Sequence, residues 1–169
     1  MFFVLKMVIL VVIFMICTSI GILKAKMYQK RVFELKMMYN SLEVVKSKIQ
    51  FTYEPIKDIF TEVSDIIYKN EPNIFLGTIN LMKEKSLLDA WNQAVENEVK
   101  INNEDKSIIK MFGNLLGKTD KSGQINEINV TNKLLETQIE KAENENKKNY
   151  KLYKTLGSVV GIGICILLF

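Results

Sequence analysis

The chain has 169 residues, 48% of them hydrophobic and 25% charged, with a net charge of +4, two cysteines and no histidine. Without histidine there is no Ser-His-Asp or Cys-His catalytic set, and zinc sites are effectively excluded. The small net charge, with no basic cluster away from the apolar ends, argues against a nucleic-acid role.

The charge is unevenly spread. Residues 1–23, "MFFVLKMVILVVIFMICTSIGIL", are interrupted only by Lys6. That is long enough to cross a bilayer as a helix, which takes about 20 apolar residues. A signal peptide is the alternative, but it carries its positive charge before the apolar run and ends in a small-x-small site. Here the basic residues follow the run, at Lys24, Lys26, Lys30 and Arg31, and "CTSIG" is a poor cleavage site. Cys17 follows Ile16, which does not suit a lipoprotein site. The segment reads as a retained anchor.

From Lys24 no glycine or proline appears before Pro55. Leu35, Met38, Leu42, Val45, Ile49, Thr52 and Ile56 follow a 3-4 spacing, the seam of a packed helix. The first membrane helix should therefore continue into the following domain. Pro55 lacks an N–H and suits the first turn of a second helix, striped by Ile56, Ile59, Phe60, Val63, Ile66 and Ile67. After a break at "YKNEPN", with Pro72 near the next start, Phe75, Leu76, Ile79 and Met82 predict a short third helix. Ser86 and Asp89 resemble a capping box and open a fourth through Leu87, Leu88, Trp91 and Val95. Trp91 is the only tryptophan and reads as core.

"INNEDK" caps a fifth helix, which stops at Gly117. The stretch "FGNLLGKTDKSGQ", residues 112–124, has the look of a phosphate-binding loop ending in Gly117-Lys118-Thr119. That loop needs four residues between its glycines to wrap backbone N–H groups around phosphates. Only Asn114, Leu115 and Leu116 separate Gly113 from Gly117, and helical spacing precedes them, not a strand. A helix–turn–helix corner fits: Gly117 takes the left-handed conformation cheaply, and Asp120 or Thr119 caps the next helix. A long sixth helix follows, marked by Ile125, Ile128, Leu135, Ile139, Ala142 and Leu152. Its middle, "EKAENENKKNYK", is polar all round and reads as a solvated stalk or a face held by pairs such as Glu143–Lys147.

The last fourteen residues carry no charge. They rise about 21 Å against a hydrocarbon core of about 30 Å. With Tyr150, Tyr153, Lys151 and Lys154 at the interface they make a short span, or an interfacial, partly inserted tail. Gly157, Gly161 and Gly163 form a small face through which membrane helices approach closely, which would also suit association between copies; glycine is also simply common in such helices. Lys147, Lys148, Lys151 and Lys154 precede this segment as Lys24, Lys26, Lys30 and Arg31 follow the first. Basic flanks stay cytoplasmic and contact anionic lipid. The expected organisation is an all-α protein: a transmembrane helix at 1–23, a cytoplasmic bundle of about six helices at 24–154, and a transmembrane or membrane-inserted segment at 155–169. Its first and last helices continue into the membrane segments. Cys17 and Cys165 read as buried thiols, and scattered carboxylates beside lysines read as solvated surface.

Taken together the motifs resemble the stage III sporulation protein AB family. Phe112, Gly113, Leu116, Gly117, Asp120 and Gln124 carry a pattern similar to that family's F-G-x-x-L-G-x-x-D-x-x-x-Q. Leu156, Gly157 and Gly161 resemble its closing segment, Ala90-Trp91 its Ala-Trp pair, and Ile49, Phe51, Pro55 and Ile56 its I-x-Y-x-x-x-P-L element. The likeness runs along essentially the whole chain. Lys48 stands where a glutamate is expected, Glu54 replaces a small polar residue and Phe51 a tyrosine; a partner contact there would have altered charge.

The resemblance implies a non-enzymatic component of the channel complex between mother cell and forespore. Such a component is similar to the inner-membrane platform proteins of type II secretion and type IV pilus machines. It implies location in the outer forespore membrane of the mother cell. Its partners would be the stage III sporulation AA ATPase and other channel proteins, with no cofactor, nucleic acid or small-molecule substrate. The nucleotide would then bind a separate motor, and Gly117-Lys118-Thr119 would serve only as a corner, with Asp120 as cap and Gln124 bonding across the turn. Two other readings stay open from the residues alone: an anchored helical adaptor unrelated to secretion, and a small pore-forming protein.

Overall fold

The computed structural model describes residues 2–69, 71–117 and 119–168. They form six helices in the order α1 (Phe2–Phe51), α2 (Ile56–Tyr68), α3 (Ile74–Leu81), α4 (Leu87–Glu98), α5 (Asn103–Leu115) and α6 (Lys121–Leu168), with no strand among the described residues. The chain divides into two compact units: Met1–Val32 with Glu140–Phe169, and Phe33–Ile139. The long helices α1 and α6 contribute to both.

In the Phe33–Ile139 unit, α1 presents Leu35, Met38, Leu42, Val45 and Ile49, all buried. α1 stops at Phe51, ahead of the expected Thr52 and Ile56, because in a continued helix Pro55 would have no N–H for the Phe51 carbonyl and its ring would clash with it. The Thr52 N–H and hydroxyl both donate to Lys48 O, at 2.8 and 2.9 Å, and close the helix end. Pro55, expected inside the first turn of α2, stands one residue outside it as the capping residue. Its carbonyl accepts from Asp58 and Ile59. Ile59, Phe60 and Val63 are buried, but Ile66 is 56% exposed. The buried arc of α2 is rotated toward Ser64, so Ile66 falls at its edge.

Ser64 is drawn inward by Asn73, whose side-chain N–H donates to Ser64 Oγ at 2.8 Å. Asn73 also caps α3, its Oδ1 accepting from the N–H groups of Phe75 and Leu76 at 2.9 and 3.1 Å. Ser86 caps α4 by accepting from Asp89 N–H, and its hydroxyl donates to the Asp89 carboxylate at 2.6 Å. Asn102 caps α5 through Asp105 N–H at 2.7 Å.

The core is an aromatic cluster. The Trp91 and Phe112 rings meet edge to face at 5.0 Å, Phe60 and Phe75 at 5.1 Å, and Trp91 lies 5.6 Å from both Phe60 and Phe75. Trp91, Phe60 and Phe75 have no exposed surface. The Trp91 indole N–H donates to Ile109 O at 3.0 Å, so its polar edge is satisfied inside the core. α6 adds Ile128 and Leu135, and beside them polar side chains that are also buried. Asn132 donates to Glu43 at 2.6 Å, and Gln138 to Glu104 at 2.7 Å.

Candidate functional site

The residues of the "FGNLLGKTDKSGQ" stretch sit at the α5–α6 corner. Phe112 and Leu116 are buried. Gly117 takes φ +70° just past Leu116, the residue that caps the end of α5, in the left-handed region that glycine adopts without strain. Lys118 lies outside the described residues. Asp120 Oδ1 accepts from Gly123 N–H at 2.9 Å and Gln124 Nε2 donates to Thr119 O at 3.0 Å. One side chain closes an orphan donor of the new helix and the other an exposed carbonyl of the turn. Asp120→Ala should therefore cost about 0.5–2 kcal/mol, read as a lowered midpoint in urea unfolding of the full chain. An unchanged midpoint would remove the capping role.

Gly113 has a steric task. A Cβ at this position would lie 2.5 Å from Trp91 Cδ1. The bare backbone of α5 thus forms one wall of the indole pocket. This ties the corner to the aromatic core, as the separate motif positions Trp91 and Gly113 did not disclose in sequence.

The α1–α2 connection meets the same corner. A cavity of about 370 Å³ is lined by Ile49, Tyr53 and Ile56 from one side and Gly117, Lys121 and Gln124 from the other. Two segments about sixty positions apart in sequence thus share one recess. Lys121 donates to Gln50 O, and its ammonium stands 5.5 Å from the Tyr53 ring centroid. Around the recess Phe51 is 75% exposed and Tyr53 99%. Lys48, one of the altered-charge positions, is answered within the chain by Glu62 at 2.5 Å, and that hydrogen bond raises the lysine's pKa. Pro55 is exposed at the same end. The arrangement offers apolar rings and paired charges suited to contact.

On α4 and α5, Glu96 accepts from Lys106 at 2.8 Å and Lys110 at 2.6 Å. These two ammonium groups pull its pKa from an ordinary 4.5 to about 2. The folded chain therefore holds this proton less readily than the unfolded one. The contribution is complete above pH 4.5 and drains away as pH falls toward 2. Glu96→Gln should flatten that stretch of an acid-unfolding curve, with a small amplitude because the trio is solvated. An unchanged acid limb would argue against the trio. Among the described residues no group of three His, Cys, Asp or Glu is placed to hold a metal ion.

The other unit is an antiparallel helix pair. Val4–Phe51 and Lys121–Leu168 each contain a stretch long and apolar enough to cross a membrane. Most large apolar side chains of these stretches are exposed, among them Val8, Val11, Ile20, Val159 and Ile166. The helices touch through glycine. A Cβ on Gly157 would lie 2.9 Å from Cys17 O and 3.0 Å from Gly21 Cα, and one on Gly161 2.9 Å from the Phe14 ring. A Cβ on Gly163 would meet nothing within 4 Å. So Gly157 and Gly161 receive α1 of the same chain, and Gly21, which sequence reading passed over, is the partner. Cys165 Sγ lies 3.4 Å from Leu10 O, and both cysteines are half-buried free thiols.

The Tyr28 and Tyr153 rings stack at 5.7 Å, and Arg31 pairs with Glu145 at 2.7 Å. The stretch "EKAENENKKNYK" is accordingly not polar and solvated all round. Ala142 is buried and Asn146 half-buried. Lys24, Lys26, Lys30, Lys147, Lys148, Lys151 and Lys154 are exposed and Arg31 is half-buried.

The sequence model of the stage III sporulation protein AB family matches residues 6–169. Stage III sporulation protein AB of Bacillus subtilis (strain 168) is 23% identical over 156 residues, which are 89% of this chain and 91% of that protein. A solved structure of stage III sporulation protein AB (SpoIIIAB) superposes with a TM-score of 0.60 at 17% identity. It covers 69% of this chain and 96% of its own, a likeness of fold. The family match takes in the aromatic core, the α5–α6 corner and both apolar helix ends. The chain belongs to the stage III sporulation protein AB family and is a sporulation protein.

Proposed function

We propose that this protein is a non-enzymatic platform component of the channel between mother cell and forespore. Residues 1–23 and 155–169 hold it in the outer forespore membrane, and residues 24–154 lie on the cytoplasmic side and dock the stage III sporulation AA ATPase. The observation that carries this reading is the family match from residue 6 to 169, which runs through both apolar ends and everything between them. The exposed apolar stretches of α1 and α6 support a membrane location, since such a surface calls for cover. The basic flanks support the cytoplasmic orientation. The Gly21–Gly157 contact supports an anchor closed within one chain over a pore built from several. For the ATPase contact we favour the recess between the α1–α2 connection and the α5–α6 corner, where Phe51 and Tyr53 stand in solvent. Aromatic side chains of this kind anchor protein interfaces.

Deleting the gene and imaging the sporulating host with a membrane dye tests the role. Forespores should complete engulfment and then stall or shrink. Normal spores at wild-type frequency would leave an anchored helical adaptor instead. Co-purification of the ATPase with the full chain, and its loss in Phe51→Ala/Tyr53→Ala, tests the docking face separately.

A further inference from the structure

The contacts of the antiparallel pair fix its register. Tyr28 is level with Tyr153, Arg31 reaches Glu145, and Gly21 lies on Gly157. In this register the run 24–31 of α1 lies alongside roughly 146–153 of α6. Two basic clusters, more than a hundred positions apart in sequence, therefore occupy one level. Eight cations, Lys24, Lys26, Lys30, Arg31, Lys147, Lys148, Lys151 and Lys154, fall within or one residue beyond it. Neither 24–33 nor 146–169 contains an acidic residue. Acids begin on the far side, at Glu34 on α1 and at Glu145, Glu143 and Glu140 on α6.

Eight residues of helix rise about 12 Å, enough to span one headgroup layer, about 5–8 Å thick, and reach the water beyond it. One edge of the band abuts the apolar stretches, and the Tyr28–Tyr153 stack lies within it, where amphipathic rings favour the membrane–water boundary. So many cations at one level repel one another. Arg31 pairs with Glu145, and six of the lysines, 24, 26, 147, 148, 151 and 154, are exposed. The complement with matching charge, depth and planar spread is a layer of phosphate monoanions.

We propose that this band is a binding collar for anionic phospholipid headgroups, one that gathers such lipids around the helix pair beyond setting its orientation. The proposal rests on the membrane reading above and deepens it.

The test uses the full chain in nanodiscs of phosphatidylcholine containing a minor fraction of phosphatidylglycerol. The protein is then released into mild detergent and the retained lipids are counted by native mass spectrometry. The wild-type chain should retain phosphatidylglycerol several-fold above its share of the bilayer. Lys24→Gln/Lys26→Gln/Lys151→Gln/Lys154→Gln should bring retention down to the bulk ratio, while Trp91 fluorescence shows the other unit still folded. Lys57→Gln/Lys83→Gln/Lys100→Gln, which removes exposed lysines of the other unit, should retain lipid as the wild type does. Bulk-ratio lipid on the wild type, unchanged retention in the collar variant, or equal loss in the control variant would overturn the collar alone. Failure of the chain to insert would overturn the membrane reading and the collar with it.

Discussion

Trp91→Ala should be the most damaging single substitution in the Phe33–Ile139 unit, costing about 3–5 kcal/mol. The indole has no exposed surface and touches Phe60, Phe75 and Phe112, so truncation opens a void that three rings cannot close without leaving their own contacts. It also removes the hydrogen bond to Ile109 O. Gly113→Ala attacks the same pocket from the opposite side. Its methyl would need to sit 2.5 Å from Cδ1 of a ring that has no room to move. Overpacking of this kind costs about 1–3 kcal/mol. The two changes should be strongly non-additive, because the methyl has space once the indole is gone. Denaturant unfolding of the full chain in detergent, followed by near-ultraviolet dichroism, gives all the values of that cycle. A Trp91→Ala loss below about 1 kcal/mol, within the range of ordinary substitutions, would show that the cluster is not the centre of this fold.

The parts of this architecture legible in sequence are those specified by local chemistry. Pro55, Ser86, Asn102 and Gly117 each end or begin a helix through their own backbone or side-chain geometry, so α2, α4, α5 and the α5–α6 corner lie close to where those residues predict them. The α1 seam was equally plain, since Leu35 to Ile49 repeat at one spacing on a helix with no breaker. What stayed hidden depends on who meets whom. Asn73 reads as a loop residue beside Pro72, and only its placement against Ser64 shows it as a buried cap. Asn132 and Gln138 interrupt the apolar stripe of α6, and their carboxylate partners, Glu43 and Glu104, lie on other helices. Ile66 belongs to the apolar stripe of α2 in sequence, and only the rotation of that helix shows it in solvent. At the candidate site, each motif was visible but not the meeting of the α1–α2 connection with the α5–α6 corner. Gly21 was hidden within a stretch judged on hydrophobicity alone.

That glycine carries the second large prediction. Gly157→Leu should force the α1 and α6 ends apart. The first added carbon would meet Cys17 O and Gly21 Cα at about the distance where real side chains never sit, and both are backbone atoms that move only with their helix. Gly21→Leu should do the same from the other side, where Tyr153 O and Gly157 Cα stand at 2.7 and 2.8 Å. A penalty of about 1–3 kcal/mol corresponds to a loss of the paired state between about fivefold and a hundredfold. Gly163→Leu provides the comparison, since nothing lies within 4 Å of that position. Native Cys165 rests against the Leu10 carbonyl, so oxidative cross-linking to Leu10→Cys in a Cys17→Ser background reports the pairing within the bilayer. The cross-link should form at least several-fold more slowly in the Gly157 and Gly21 variants and at the parent rate with Gly163→Leu. Equal rates in all three would mean that the glycine contact does not hold the pair, and that the Tyr28–Tyr153 stack and the Arg31–Glu145 pair keep the helices together instead.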